Sequence, residues 1–293
     1  MRRTIAEMWR PRRRSLREKA FEFLLVLFTV VGIAVLGVLL VDVLVDGTPR
    51  LDWQFLTSYS SRFPEQTGIL AGLTGTVSLM VLTALLSFPI GVAAAIYLEE
   101  FAPDNWFTRL MQVNIANLAG VPSVVYGLLA ASLFVFVLEL GRSLMSGALA
   151  LTLLSLPVII VAGREAIRAV PRSIREGGLA LGATPWQVTR SQVLPAAMPG
   201  ILTGTILALS RAIGEAAPVI VAGAAFSRRA PNEPWNVLEP FVALPVVIFD
   251  FVKRPQEGFR IDAASAAIIA LLVALLAMNT LAILLRNRYR TRF

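Results

Sequence analysis

The chain has 293 residues, of which 56% are hydrophobic and only 16% are charged. Soluble domains carry about 25% charged residues, so this composition argues against a soluble protein. There is no histidine and no cysteine, which removes the commonest general base, the commonest metal ligand and any disulfide. No cofactor and no metal site is predicted. The net charge of +8 fits either nucleic acid or a membrane surface, and the positions of the basic residues decide between these two.

Six apolar blocks predict an all-α membrane protein with six transmembrane helices, since each is long enough to cross a hydrocarbon core of roughly 30 Å. In chain order the blocks are Phe23–Val41, Thr67–Leu98, Leu110–Leu138, Ser143–Gly163, Pro199–Phe226 and Ala263–Leu285. The predicted organisation is a basic N-terminus at 1–20, a first transmembrane helix at 21–45, an extracytoplasmic loop at 46–66, a transmembrane domain at 67–288 and a tail at 289–293.

Three of these segments carry further signals. The uncharged block Thr67–Leu98 is longer than the bilayer requires, so its start is expected to lie along the interface or the helix to tilt. Pro122 is expected to divide the third block into a leading helix over about 109–120 and a span from Ser123. The apolar stretch Val242–Phe249 is too short to cross and predicts an interfacial or re-entrant segment over the outer mouth.

The basic residues predict the orientation of the spans. With an inner N-terminus, eighteen Lys and Arg residues fall on the inner side and eight on the outer side. The positive-inside rule therefore favours cytoplasmic N- and C-termini, and it explains the basic charge without nucleic acid. The first apolar block is longer than the roughly 7–15 residues of a signal peptide, so an uncleaved anchor is expected.

The inner loop between the fourth and fifth spans, at about 164–198, carries the strongest local signals. Ser173 and Glu176 form a capping-box pattern, and Gly182 suits the end of the helix that follows. A second capping box starts at Thr184, and its helix is expected to end near Pro195. Two short helices joined at a glycine would form a rigid projection that fits a groove on a soluble partner. The alternative is an ordinary amphipathic inner loop.

The residues of this loop resemble the "EAA" loop of ABC importer permeases. The pattern is carried at matching spacing by Glu176, Gly177, Gly178, Gly182, Leu194 and Pro195. The resemblance implies a type I importer permease fold in which these residues form the coupling helices that contact a separate ATPase subunit. Two departures stand out, because glycines replace both alanines and Gln192 replaces an apolar residue. The glycines are expected to make the first helix more mobile.

Three further stretches extend the resemblance to the A-type permease subunits of bacterial phosphate importers. They are Ala119–Gly127, Arg211–Pro218 and Lys253–Gln256. The resemblance implies a phosphate importer of the inner membrane, with a cytoplasmic ATP-binding subunit, a second (C-type) permease subunit as heterodimer partner and an extracytoplasmic phosphate-binding protein. The chain has no G-x-x-x-x-G-K-[ST] motif, so ATP hydrolysis is expected in a partner and not in this chain.

Other functions remain open at this point. They are an ABC permease for another anion such as sulfate or molybdate, an ion-coupled secondary transporter, and a membrane scaffold without transport.

Arg211 and Glu215 are the candidate residues of the substrate path. An arginine in mid-bilayer costs at least about 2.5–3.5 kcal/mol, so the pair needs a reason to be there. A guanidinium offers forked donors to phosphate oxygens, and a carboxylate accepts the proton that phosphate retains but repels sulfate. The spacing i, i+4 also allows a purely structural ion pair, or a gate that breaks during transport.

Overall fold

The computed structural model describes residues 16–225 and 236–288, and within these ranges all regular structure is helical. Residues 1–15, the predicted end of the fifth span at Phe226 and the tail at 289–293 lie outside the described residues. The helices are α1 (Leu16–Gly47), α2 (Trp53–Thr57), α3 (Leu70–Phe101), α4 (Trp106–Leu118), α5 (Ser123–Val137), α6 (Leu144–Arg168), α7 (Arg172–Ala180), α8 (Pro185–Ala212), α9 (Ala217–Val221), α10 (Leu244–Lys253) and α11 (Gly258–Arg288). The chain divides into two compact units, residues 1–45 and 46–293.

Five helices of the described residues are long and apolar enough to cross a membrane: α1, α3, α6, α8 and α11. The pair α4 and α5 meets the same condition together but is bent by 106°, and it is the sixth candidate span. The predicted break is therefore confirmed, with α4 ending at Leu118 and Pro122 standing just before α5. The first helix extends beyond the predicted 21–45 at both ends.

Close packing of small residues sets α6 between α3 and α8. A methyl group built on Gly163 of α6 would lie 2.9 Å from Cβ of Ala95 on α3. A methyl group on Gly200 of α8 would lie 2.7 Å from Cβ of Ala166 on α6. These glycines let the helix backbones approach closely, which is how helices associate where the surrounding lipid is as apolar as the side chains.

The second span is displaced relative to its prediction. The helix α3 begins at Leu70 instead of Thr67, and it continues beyond Leu98 through a π-helical turn, Tyr97–Phe101. At about 1.5 Å per residue it is still longer than the bilayer core, so a tilt stays a prediction. The added turn places two carboxylates, Glu99 and Glu100, at the C-terminal end of the helix.

Most of the apolar stretch 242–249 is packed inside the protein, although Phe249 at its end is 38% exposed. Val242, Leu244 and Val246 are almost completely buried. The backbone N–H of Leu244 donates a hydrogen bond to Oγ1 of Thr76 on α3, at 2.7 Å. This burial against protein supports the re-entrant interpretation.

The prediction that the second inner helix ends near Pro195 is wrong. The helix that begins at Pro185 continues through a π-helical segment, Thr189–Val193, and ends only at Ala212. A proline removes one hydrogen bond and crowds the preceding turn, and the wider π-helical turn before Pro195 accommodates its ring. The second inner helix and the fifth span are therefore one helix, and most of the predicted loop at 164–198 is helical.

The capping predictions for the inner loop had mixed outcomes. The box at Thr184 is confirmed, since its Oγ1 accepts from the N–H of Gln187 at 3.3 Å and Oε1 of Gln187 accepts from its N–H at 2.8 Å. The box at Ser173 is wrong, because α7 begins at Arg172 after Pro171 and has no side-chain cap. The fixed φ of Pro171 starts the helix early, which places Ser173 inside the first turn. The end at Gly182 is confirmed by its φ of +84°.

Candidate functional site

Arg211 and Glu215 lie at a break in the fifth span. The helix α8 ends at Ala212, α9 begins at Ala217, and Glu215 lies in the turn between them. The predicted span Pro199–Phe226 is therefore interrupted between these two residues. The pair itself forms, with 3.5 Å between Nε of Arg211 and Oε1 of Glu215.

The break has a local cause. Pro218, in the first turn of α9, has no N–H to continue the hydrogen bonding of α8, and Gly214 lowers the cost of leaving helical geometry. In the turn, the N–H of Gly214 and that of Glu215 each donate to the carbonyl three residues before. Backbone interruptions at membrane depth are tolerated where they are covered by protein or line a cavity.

A second interrupted span packs against this break. A methyl group built on Gly127 of α5 would lie 2.7 Å from Cα of Pro218 and 3.1 Å from Cβ of Val221 on α9. Across the α4–α5 bend, the Tyr126 hydroxyl donates to the carbonyl oxygen of Leu118 at 2.7 Å. Two of the motifs noted in the sequence thus touch each other. Sequence reasoning did not identify Tyr126 and Gly127 as site residues, although both lie in the quoted motif at 119–127.

The Arg211 side chain is 51% exposed in this chain, while Glu215 is mostly buried. An exposed guanidinium at membrane depth is expensive against lipid. Such a position is tolerated where water or protein, rather than lipid, surrounds the charged group. The exposed guanidinium of Arg211 is of the type that binds an oxyanion through a planar fork of N–H donors.

The inner knob, defined as residues 172–188, is the second candidate site. Glu176 and Gly177 are exposed on α7, and Gly182 lies at the tip. Leu181 beside it is 88% exposed, and Leu179 and Trp186 are also largely open to solvent. Leu194 and Pro195 lie behind the knob, inside α8. An apolar, exposed, turn-linked tip is typical of a surface that another protein covers.

Two of the departures from the EAA pattern, Gly178 and Gln192, lie close together in space. A methyl group on Gly178 would lie 2.7 Å from Cγ2 of Val188 and 3.2 Å from Oε1 of Gln192. The glycine therefore lets α7 approach α8, and Gln192 occupies the neighbouring space. A methyl group on Gly177 would meet nothing within 4 Å. One glycine is required by packing, and the other is not.

These two glycines give a paired prediction. Gly178→Ala is expected to destabilise the α7–α8 contact by about 1–3 kcal/mol, because the added methyl group overpacks it. Gly177→Ala, its matched control, should stabilise α7 by about 0.5–1 kcal/mol, since alanine has the higher helix propensity. Amide hydrogen exchange of α7 in the purified protein measures both effects. Equal exchange in the two variants would contradict the packing argument.

Comparisons with known proteins place the chain among transport subunits. The family of binding-protein-dependent transport system inner membrane components matches residues 87–293. The phosphate transport system permease protein PstA of Haemophilus influenzae is 33% identical over 252 residues, covering 86% of this chain and 88% of that protein. PstA 1 of Mycobacterium tuberculosis H37Rv is 34% identical over 226 residues, covering 76% and 71% respectively.

Solved structures support the fold. An inward-facing structure of the MetNI methionine ABC transporter superposes with a TM-score of 0.61 at 15% identity, covering 76% of this chain and 96% of that one. A bacterial ABC transporter that imports alginate, an acidic polysaccharide, superposes with a TM-score of 0.63 at 14% identity, covering 94% and 98%. At these identities the likeness extends to the fold alone.

Proposed function

Because the chain belongs to the family of binding-protein-dependent transport system inner membrane components, we propose that it is a permease subunit of an ATP-driven phosphate importer. It is a multi-pass inner membrane protein and a transport subunit, not an enzyme. In the proposal it forms half of the translocation path, and its N- and C-termini lie in the cytoplasm.

The half-exposed Arg211 is the observation that carries the choice of substrate. It lies at a broken span, where interrupted helices bring backbone ends and charged groups to a transported ion. Its donors match the oxygens of phosphate, and the neighbouring Glu215 can accept the proton that phosphate keeps near neutral pH. The phosphate transport permeases named above are similar over most of this chain, which supports the same substrate.

The inner knob supports a partner that hydrolyses ATP. In the proposal, Glu176, Leu181 and Trp186 contact a cytoplasmic ATP-binding subunit, which supplies the energy for transport. A second, C-type permease subunit covers the open face of α8 beside Arg211 and completes the path. An extracytoplasmic phosphate-binding protein delivers the substrate at the end that carries the 46–66 loop.

Reconstitution of the importer in vesicles tests the proposal. Co-purification of the chain with an ATPase separates an ABC permease from an ion-coupled transporter or a scaffold. Stimulation of ATP hydrolysis by a loaded phosphate-binding protein, but not by a loaded sulfate-binding protein, separates phosphate from other anions. Phosphate uptake that needs an ion gradient and no ATP would overturn the proposal.

A further inference from the structure

Arg175 joins the first helix of the knob to two spans at once. Its Nη2 lies 2.7 Å and its Nε 3.0 Å from Oε1 of Glu100, at the inner end of α3. Its Nη1 donates to the carbonyl oxygen of Val170 at 2.7 Å, and Nη2 also donates to that of Ile167 at 2.9 Å. All three guanidinium nitrogens are therefore engaged, and both side chains of the ion pair are largely buried.

The two spans that Arg175 contacts are themselves joined. Arg168 of α6 binds both carboxylate oxygens of Glu99, each at 2.9 Å. Arg164, which is almost fully buried, adds a third contact to Glu99 at 3.3 Å. The inner ends of α3 and α6 are thus joined to each other. The neighbouring Glu100 belongs to this joined pair of helix ends, and its carboxylate binds Arg175 of the knob.

The other half of the knob needs no such attachment. Its second helix continues directly into the fifth span as α8. The first helix, α7, has no straight helical connection of that kind, because a turn at Pro171 separates it from α6 and Gly182 separates it from α8. Apart from its packing against α8 at Gly178, α7 is held to the spans by the contacts that Arg175 makes to α3 and α6.

We propose that the Arg175–Glu100 ion pair transmits movement of the knob to α3 and α6, so that ATP hydrolysis in the partner is coupled to reorientation of these spans. This inference rests on the proposed function, and it assigns both residues a positioning role. Charge-assisted forked bonds suit the role, because they fix orientation as well as distance. A neutral partner on either side leaves the other charge buried and unpaired, which loosens the attachment.

The experiment uses the complete importer in vesicles and measures ATP hydrolysis and substrate uptake together. Glu100→Gln and Arg175→Gln are each expected to leave assembly and ATP hydrolysis in place, while the uptake per ATP falls at least tenfold. Asp104→Asn is the matched control. It removes a forked pair with Arg109 at 2.9 and 3.1 Å that is exposed and does not touch the knob. It should retain the wild-type ratio.

A second pair of substitutions tests the role of the ion pair if the glutamine variants fail to assemble. The chain has no cysteine, so Glu100→Cys with Arg175→Cys introduces the only two thiols. Joining them with a short bifunctional thiol reagent is expected to restore the uptake per ATP that the unjoined variant lacks. A ratio that stays low after joining overturns the inference, as does a wild-type ratio in both glutamine variants.

The outcomes separate this inference from the proposed function. A wild-type complex without an ATPase or without uptake contradicts the proposed function. If the wild-type importer takes up substrate normally and the glutamine variants keep its uptake per ATP, only the role of the ion pair is contradicted.

Discussion

Replacing Arg211 by glutamine is expected to lower phosphate uptake by about 10–100-fold while the importer still assembles. Hydrogen bonds to a charged group contribute about 1.5–3 kcal/mol, and about 1.4 kcal/mol corresponds to a factor of ten. Glutamine keeps a polar side chain but loses the charge and the fork. The measurement is phosphate uptake into vesicles that contain the reconstituted importer, with assembly checked by co-purification of the ATPase.

Arg260 provides a matched control for this substitution. It is 49% exposed and lies 3.6 Å from Glu257, so its exposure and its pairing resemble those of Arg211. It is not at the broken span, and Arg260→Gln should leave uptake within a factor of two.

A double variant distinguishes transport from structure. If the pair were only structural, Arg211→Gln combined with Glu215→Gln would recover uptake, because no unpaired charge remains. A guanidinium that binds the substrate predicts no recovery. Recovered uptake in the double variant would remove Arg211 from the path and leave the ion-pair interpretation.

The second large effect is expected at the tip of the inner knob. Leu181→Asp and Glu176→Lys should each weaken association with the ATPase at least tenfold, because both side chains lie on the exposed surface proposed as the contact. A charge placed in the apolar part of an interface costs desolvation, and a reversed charge repels the residues that the original one attracted. Co-purification from membranes, quantified against the amount of permease, measures the effect.

Leu238→Asp is the corresponding control. Leu238 is also an exposed leucine, but it precedes α10 in the connection between α9 and α10, at the end predicted to face away from the cytoplasm. Its substitution should leave ATPase association unchanged. Unaltered ATPase association in both knob variants would reject the docking role of the knob. Membrane insertion of each variant is measured to confirm that it is expressed.

Features with local causes were predictable from the sequence. Pro122 indicated the break between α4 and α5, and Thr184 with Gln187 indicated the start of α8, because these effects act within one helical turn. One local prediction failed, because Pro171 starts α7 before Ser173 can cap it, and the other failures concern distant contacts or compensation. Pro195 does not end α8, since a π-helical turn absorbs it. The contact of Gly127 with Pro218 and the pairing of Arg175 with Glu100 join residues far apart in sequence, which periodicity and capping rules do not reach.

The sequence predicted which residues form the site better than it predicted how they are arranged. Arg211 and Glu215 were identified because charge is costly in lipid, and their pairing followed from their spacing. That α8 stops between them depends on Pro218 and on its packing against α5. Within the EAA residues, the reason for Gly178 became evident only from the close approach of Val188.

The unbroken course of α8 has a mechanical consequence. With 28 residues from Pro185 to Ala212, it is about 40 Å long at 1.5 Å per residue. If such a rod pivots at its inner end by about 5°, its far end sweeps about 3.5 Å, roughly the width of one hydrogen-bonded contact. A small movement of Trp186, caused by the ATP-binding subunit, would then be enough to open or close the surroundings of Arg211. The helix between the two residues would stay folded.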